Sequence, residues 1–346
     1  MRNRLILALM LLMCVTLPAR AERTTSPHLT LETLLAGARV GPPETHGNLA
    51  VFPVTVPTPS ALADHLNLDA ALHRQALKLT EVSESGSVNR VLVENTGKVP
   101  VFIMAGEILA GAKQDRVLQD DLWLPALSGP VEVACYCVER GRWSYTGDRE
   151  FKSRPVAGNL AVRQSARTNN SQVAVWSAVA ETQARVGFGD STALGETFEA
   201  PAVKRRIEGY IQALGELPKR HPQANGFVVA VGSRILAADL FGGRSDAVAL
   251  WPKLLPSYAL EAAQAESQKA DVSREAAARF LREAASLETT TRATPGGGTL
   301  FSLEGSGRVG SALLLGRALV HAEVFPRSKQ TPPPQPLVPI QRQYDR

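Results

Sequence analysis

Apolar residues recur along the chain at two different spacings, which divide it into two halves. Between residues 45 and 145, short apolar runs alternate with glycine, proline and asparagine turns, as is typical of antiparallel strands. From Asn169 onward, apolar residues return every three or four positions, which indicates helices with one buried face. The pattern predicts an α+β protein with a β-rich, antiparallel, sandwich-like first half and helices packed on β-hairpins in the second half.

The predicted elements of the first half are mostly short strands. A strand over residues 49–56 contains Pro53, which would place it at a sheet edge because proline lacks the backbone N–H. A helix is predicted over residues 68–79, with Asn67 as its cap. Further strands are predicted at residues 87–94, 99–104, 113–118, 121–124 and 131–138. So many strands in so short a segment favour an antiparallel sandwich or barrel-like unit.

The second half mixes hairpins and helices. A hairpin is predicted over residues 226–241 with its turn at Gly232, and a last pair of strands over 308–325. Helices are predicted over about 246–264 and 273–287, and Pro252 and Pro256 should break or kink the first of them. Residues 289–298 are predicted to be flexible. One α+β domain is therefore expected over residues 22–325, with its β-rich part at 45–145 and its helix and hairpin part at 165–325.

Both ends of the chain differ from this domain. Arg2 and Arg4 precede an apolar run at residues 5–17, and Ala19-Arg20-Ala21 follows, which is the three-part pattern of a secretion signal. The run is shorter than the roughly 20 residues that a membrane-spanning helix needs. We therefore expect cleavage after residue 21, no transmembrane segment in the mature chain, and a periplasmic or extracellular location. Residues 326–346 hold six prolines and are expected to form a disordered tail.

The net charge argues against nucleic acid as a partner, and the cysteine spacing argues against a disulfide. Removing residues 1–21 takes away three arginines and no acid, which lowers the formal net charge from +5 to +2. A nearly balanced chain without a Lys/Arg stripe is not expected to bind nucleic acid. Cys135 and Cys137 remain, and at this spacing on one strand they point to the same side and would form a strained bridge. We therefore predict two buried thiols.

Charged residues interrupt strand-like sequence between residues 101 and 145. Gly106 and Gly111 bracket Glu107, and glycines let a backbone bend and approach a ligand closely. If residues 113–118 are extended, charges stand on both faces of that strand. A surface strand normally keeps one face apolar, so at least one of these charges should be paired inside the protein or should line a cleft.

The same segment carries a resemblance to a known family. The chain resembles the ARG and rhodanese-phosphatase superfamily-associated protein (ARPP) family in Gly106-Glu107, Gly111-Ala112-Lys113-Gln114, Arg116-Val117-Leu118, Cys137-Val138-Glu139 and Gly141-Arg142-Trp143. The family's layout is also matched by Val88-Asn89-Arg90 with Asn95, by Gln172 with Trp176, and by the hairpin at 226–241. The resemblance spans residues 45–325. Because the family's name records association with ADP-ribosylglycohydrolase-like and phosphatase-like proteins, the resemblance implies a role near nucleotide or ADP-ribose metabolism.

The polar segment allows two interpretations. In the first, Lys113 and Arg116 hold an anionic group, and Glu107 is an acid, base or ligand anchor. In the second, the same charges form an internal ion-pair network that pins the strands together, and the tryptophan plugs the end of the sandwich. The first is our leading interpretation, with ligand contacts from Glu107, Lys113, Gln114, Arg116, Glu139, Arg142 and Trp143, and with Glu107 as the catalytic candidate.

No motif in the sequence defines a reaction. Patterns of serine hydrolases, phosphate-binding loops, dinucleotide-binding folds and zinc proteases are missing, and no residues have metal-ligand spacing. No metal or cofactor is therefore predicted, and whether the protein is an enzyme stays open. The leading hypothesis is an exported protein that binds, or binds and hydrolyses, a small anionic ligand. The alternative is a non-catalytic envelope interaction or scaffold module with a protein partner bound by the proline-rich tail.

Overall fold

The computed structural model describes residues 27–145, 147, 149–168, 171–266, 269–292 and 294–327. Helices alternate along these residues with sheets in which all strand pairs but one are antiparallel, which confirms the α+β class. The predicted signal at residues 1–21, and residues 328–346 of the predicted tail, lie outside the described residues. Pro326, the first residue of that predicted tail, is instead the last residue of a strand.

The first half of the chain is built mostly of strands. In chain order, its elements are α1 (Pro27–Ala36), β1 (Arg39–Val40), β2 (Glu44–His46), β3 (Leu49–Thr55), β4 (Leu66–Asn67), α2 (Leu68–His73), β5 (Leu77–Glu81), β6 (Arg90–Asn95), β7 (Val101–Ile103), β8 (Glu107–Gly111), β9 (Arg116–Leu118), β10 (Leu122–Leu124), β11 (Gly129–Cys137) and β12 (Phe151–Ala157).

The second half alternates helices with hairpins. Its elements are α3 (Leu160–Thr168), α4 (Gln172–Val186), α5 (Leu194–Glu199), α6 (Pro201–Leu214), α7 (Leu217–Arg220), β13 (Gly226–Val231), β14 (Arg234–Phe241), α8 (Arg244–Gln264), α9 (Arg274–Ala285), β15 (Glu288–Arg292), β16 (Thr299–Gly305), β17 (Arg308–Leu315) and β18 (Ala318–Pro326). The predicted hairpin at 226–241 and the final strand pair are therefore present.

A nine-stranded sheet joins the two halves of the chain. Its strand order is β1-β3-β13-β14-β18-β17-β16-β15, and β2 pairs with β3. Helices α1 and α9 bury apolar side chains against one face, and α8 with the end of α6 covers part of the other. Because strands from the first half pair with hairpins from the second, residues of both halves bury their side chains in the same apolar clusters.

The remaining strands form two smaller sheets in the first half. A six-stranded sheet has the order β12-β8-β9-β11-β6-β5, and a three-stranded sheet has the order β10-β7-β4. Apolar side chains from both sheets and from α2 pack together, which gives the sandwich-like layers predicted from the sequence. Helices α3 to α6 and the end of α8 contribute to the core on the opposite face of the six-stranded sheet.

Strand β3 is not an edge strand, so that prediction was wrong. It pairs with β13 along one side, while the short strands β2 and β1 pair with its two ends on the other. Pro53 lies between these two end pairings, where its carbonyl accepts a hydrogen bond from the N–H of Gly41 at 2.7 Å. Since N–H and C=O of one residue face the same neighbour in an antiparallel ladder, the missing N–H of Pro53 also faces this gap.

The predicted helix at residues 68–79 is too long. Asn67 caps α2 by accepting from the N–H of Ala70 at 2.8 Å, as expected, but the helix ends at His73. Gln75 takes a positive φ of 54°, and β5 begins two residues later. Leu77, Leu79 and Glu81 are buried on alternate positions, so the two-residue period of a strand overrides the helical spacing here.

Three other local predictions need correction. The strand expected at 113–118 begins only at Arg116, because Ala112 adopts a positive φ of 41° and residues 112–115 form a turn. Helix α8 runs through both Pro252 and Pro256 and is not broken by them. The segment predicted to be flexible contains four of the five residues of β15, which pairs along its length with β16.

Candidate functional site

Glu107 lies in a buried cluster with a lysine from the second half of the chain. It is the first residue of β8 and only 1% exposed, and its Oε1 accepts from Nζ of Lys253 at 2.6 Å. The same Nζ donates to Oδ1 of Asp69 at 2.8 Å and to Oγ of Ser153 at 2.7 Å. These four residues, the Lys253 cluster, connect α8 to β8, β12 and α2.

Burial and pairing set the charges of the Lys253 cluster. Burial raises the pKa of Glu107 despite the neighbouring ammonium. Burial also opposes the charged form of Lys253, but Glu107 and Asp69 outweigh it and raise the pKa of the amine. Lys253 is therefore an ammonium at neutral pH and cannot accept a proton from Ser153. The cluster is not arranged as a serine–lysine nucleophilic pair.

A second cluster holds the predicted residues Glu139 and Arg142. Arg142 donates from Nε and Nη2 to the two carboxylate oxygens of Glu139 at 2.7 and 2.6 Å, and its Nη2 lies 3.3 Å from Oδ1 of Asp115. Oδ2 of Asp115 accepts from Arg154 at 3.0 Å. We call Asp115, Glu139, Arg142 and Arg154 the Asp115 cluster. It ties the β8–β9 turn to β12 and to the end of β11.

Every nitrogen of the Arg142 guanidinium already has a partner. The Nη1 of Arg142 donates to the carbonyls of Ala112 and Ser144 at 2.8 and 3.0 Å. Burial raises the pKa of Asp115, although Arg154 acts against this shift. An external anion would have to displace a carboxylate to reach Arg142. The geometry matches the internal ion-pair network of the second interpretation, and a ligand contact at Arg142 or Glu139 stays a prediction.

The other predicted residues surround Arg116, which is completely buried. Its Nη1 donates to Oε1 of Gln114 at 3.0 Å, and its Nη2 lies 3.7 Å from Oε1 of Glu81. The guanidinium carbon is 5.5 Å from the ring centroid of Trp143, and Nζ of Lys113 lies at the same distance from that ring. Lys113 and Trp143 are partly exposed, so they are the members of this group that a ligand could reach.

The two cysteines are free and buried, as predicted. Burial raises the pKa of Cys135 to about 12 and raises the pKa of Cys137 as well. Thiols with raised pKa values carry little thiolate at neutral pH, so neither sulfur is prepared as a nucleophile.

A third cluster surrounds His321, which the sequence shows only as an isolated polar residue in β18. His321 is completely buried, and its Nδ1 lies 2.9 Å from Oδ2 of Asp121 while its Nε2 lies 3.4 Å from Oδ1 of Asp239. Burial alone would lower the pKa of His321, but the two aspartates outweigh it and raise the pKa to about 10. The imidazole is therefore protonated at neutral pH.

Ion pairs extend this His321 cluster toward the surface. Arg163 pairs with Asp239 and with Glu323, whose Oε2 lies 2.9 Å from its Nη2. Arg167 joins Glu323 to Asp120, and Arg292 also binds Asp120 at 2.6 Å. Four carboxylates thus face three guanidinium groups, so protonated His321 supplies the balancing positive charge. Gly106 accommodates Arg163, since a Cβ there would lie 2.9 Å from its Cγ.

The surface of the described residues contains two open grooves. One, of about 660 Å³, is lined by Asp69, Leu72 and residues 149–153, so it reaches the Lys253 cluster through Asp69 and Ser153. The other, of about 1060 Å³, lies between β14, α3, one face of α9, the start of β17 and the end of β18. Its charged lining is Arg234, Arg279, Arg308, Arg327, Asp271 and Glu283, and we call it the arginine groove. None of the seven predicted site residues lines either groove.

The sequence patterns missed Lys253 and the arginine groove for different reasons. Lys253 is the only cation of α8 besides Arg244 at its first position, and the helix is buried almost all round. This contrast was the available signal for a buried pair. The arginine groove had no such signal, because its cations come from separate segments of the chain. Within the described ranges, no group of three or more His, Cys, Asp and Glu side chains is placed to hold a metal ion.

Comparison with models of protein families shows the family of this chain. Residues 37–325 match the model of the ARG and Rhodanese-Phosphatase-superfamily-associated Protein domain, and the chain therefore belongs to that family. The match confirms the resemblance, and the family's description names associations and no activity. Searches of curated proteins and of solved structures gave no significant match. In the part of the chain that the structure describes, no helix has the length and apolarity needed to cross a bilayer.

Proposed function

We propose that this protein is exported and binds a small anionic ligand, and that the arginine groove is the binding site. The observation that supports this is the excess of arginine over carboxylate in the groove, four against two. Arg308 pairs with Glu283, and Arg327 with Glu304. Arg234 and Arg279 have no carboxylate within ion-pairing distance among the described residues, so their guanidinium groups are available to a ligand.

A thermal-shift panel tests the binding site. Nucleotides, ADP-ribose, sugar phosphates and small carboxylates are compared on the wild type and on Arg234→Gln with Arg279→Gln. A ligand that binds only the folded state adds about 2.7 kcal/mol at a hundredfold excess over Kd. We expect at least one anion to stabilise the wild type and to lose this effect in the double variant. Lys204→Gln with Arg205→Gln is the matched control, because both side chains are exposed on α6, away from the groove.

Two outcomes would contradict the arginine groove as the site. If an anion stabilises the double variant as strongly as the wild type, the ligand binds elsewhere. If the effect instead disappears in Lys113→Gln, the ligand lies at the segment first predicted from the sequence. The alternative scaffold function stays a prediction, because it depends on the proline-rich tail, and residues 328–346 lie outside the described ones.

Export has its own test. The proposal rests on the arginine, apolar and alanine pattern of residues 1–21. We expect the protein recovered from outside the cytoplasm to begin at Glu22, and N-terminal sequencing or intact mass would show this. Recovery only in the cytoplasm, with residues 1–21 retained, would refute the proposal.

A further inference from the structure

We infer that the ligand of the arginine groove is an amphiphilic anion, with one anionic head group and an apolar aromatic or acyl body. This inference rests on the proposed function and specifies the chemistry of the same site. Apolar side chains share the lining with the arginines: Leu160, Ile235, Leu236, Val272, Ala276 and Phe280. A groove that binds only small hydrophilic anions has no need of so much apolar lining.

The two kinds of side chain are interleaved on the same elements. In β14, exposed Arg234 is followed by half-buried Ile235. In α9, Ala276, Arg279 and Phe280 are three or four residues apart, so they share the helix face that lines the groove. A ligand that contacts Arg234 or Arg279 therefore has apolar surface directly beside its charged group.

Arg308 belongs to the wall of the groove. Its guanidinium carbon lies 5.1 Å from the ring centroid of Phe280, and the side chain also pairs with Glu283. Its charge is thus already compensated. Arg234 and Arg279 are left as the cations for the ligand, which suits a single anionic group better than a polyphosphate chain.

The apolar body of the ligand matters because the arginines that would bind its head group are exposed to solvent. Contacts between exposed ions are weak in water, so an anion without an apolar part should bind the exposed Arg234 and Arg279 poorly. A neutral apolar molecule gains the apolar contacts but not the ionic ones. Only a molecule with both parts uses the whole lining of the groove.

Three probes separate these contributions. 8-Anilinonaphthalene-1-sulfonate has an aromatic body and one anionic group, N-phenyl-1-naphthylamine has the aromatic body alone, and inorganic phosphate has the charge alone. We expect the sulfonate to bind at least about tenfold more tightly than phosphate, and this binding to weaken by about tenfold in the Arg234→Gln, Arg279→Gln variant. Binding of the neutral amine should not change in that variant. Fluorescence titration and calorimetry measure the three affinities.

A separate variant tests the contribution of the apolar side chains that line the groove. Val272→Ser changes a half-buried residue just before the cap of α9. This variant should bind the sulfonate more weakly than the wild type does, and its affinity for phosphate should be unchanged. The Lys204→Gln, Arg205→Gln variant serves again as the control. Thermal melts of all variants show whether each one is folded before its affinities are compared.

The possible failures can be told apart. If phosphate binds as tightly as the sulfonate and both are lost in the arginine variant, the groove binds anions but the amphiphilic inference is wrong. If the sulfonate binds the arginine variant and Val272→Ser as tightly as the wild type, the inference is also wrong. If no anion of either panel responds to the arginine substitutions, the proposed function itself fails.

Discussion

Replacing Lys253 by methionine is expected to lower the free energy of unfolding by about 3–5 kcal/mol, because it leaves a buried carboxylate without its partner. Glu107 is 1% exposed, and Lys253 is its only ion-pair partner among the described residues. Methionine keeps most of the volume of the lysine stem, so the loss reports the charge and not a cavity. Urea unfolding at neutral pH, followed by circular dichroism, measures the change.

Two further variants make this prediction specific. Lys219→Met removes an exposed ion pair with Glu216 and should cost less than about 1 kcal/mol. Combining Lys253→Met with Glu107→Gln removes the unpaired charge while the amide still accepts from the N–H of Met104. We therefore expect the combined variant to be more stable than Lys253→Met alone. Equal or lower stability would show that Glu107 is not the group that Lys253 compensates.

The His321 cluster predicts a second large effect, which depends on pH. The folded-state pKa of His321 is about 10, above the ordinary value of 6.5. Between these two pKa values the folded protein therefore holds one proton more than the unfolded chain. The resulting stabilisation is fully present below pH 6.5 and lost as the pH rises through 10. Between about pH 7.5 and pH 8.5, this group should make the free energy of unfolding fall by about 1.4 kcal/mol per pH unit.

Substitution isolates the histidine from other groups that titrate in alkali. In His321→Gln, the fall of the free energy of unfolding with pH should be smaller by about 1.4 kcal/mol per pH unit. In His73→Gln it should be unchanged, because that side chain is exposed at the end of α2. If His321→Gln does not fold, NMR of the wild-type imidazole at about pH 8.5 gives the same information. A neutral His321 ring at that pH, or a slope that persists in His321→Gln, would contradict the prediction.

Local patterns predicted those elements whose formation depends on nearby residues. The Asn67 cap, the glycine turn of the 226–241 hairpin and most of the predicted strands of the first half appear where spacing placed them. Predictions failed where a partner from elsewhere decided the outcome. Pro53 is accommodated inside a sheet because β1 and β2 leave a gap opposite it. Helix α8 continues through two prolines in a densely packed environment, which spacing does not show.

The candidate site shows the same division. The sequence indicated that charges in the 101–145 segment would be paired inside or would line a cleft, and Asp115 and Arg116 are indeed buried with partners. It did not show that Glu107 would lie apart from Arg142, in a different cluster. Nor did it indicate the arginine groove, because its charged residues come from separate segments, in and beside β14, α9, β17 and β18, and each looks like an ordinary surface charge.

From the sequence alone came the α+β class, most strands and helices, the two buried thiols and the family, since these follow from spacing over a few residues or from a motif. Tertiary structure decided which charges meet. Glu107 and Lys253 are 146 residues apart, and Asp121 and His321 are 200 apart. Electrostatic energy depends on distance in space and on burial, and neither is encoded in the local spacing of residues. The pairing of these groups therefore appears only once the sheets and helices have packed.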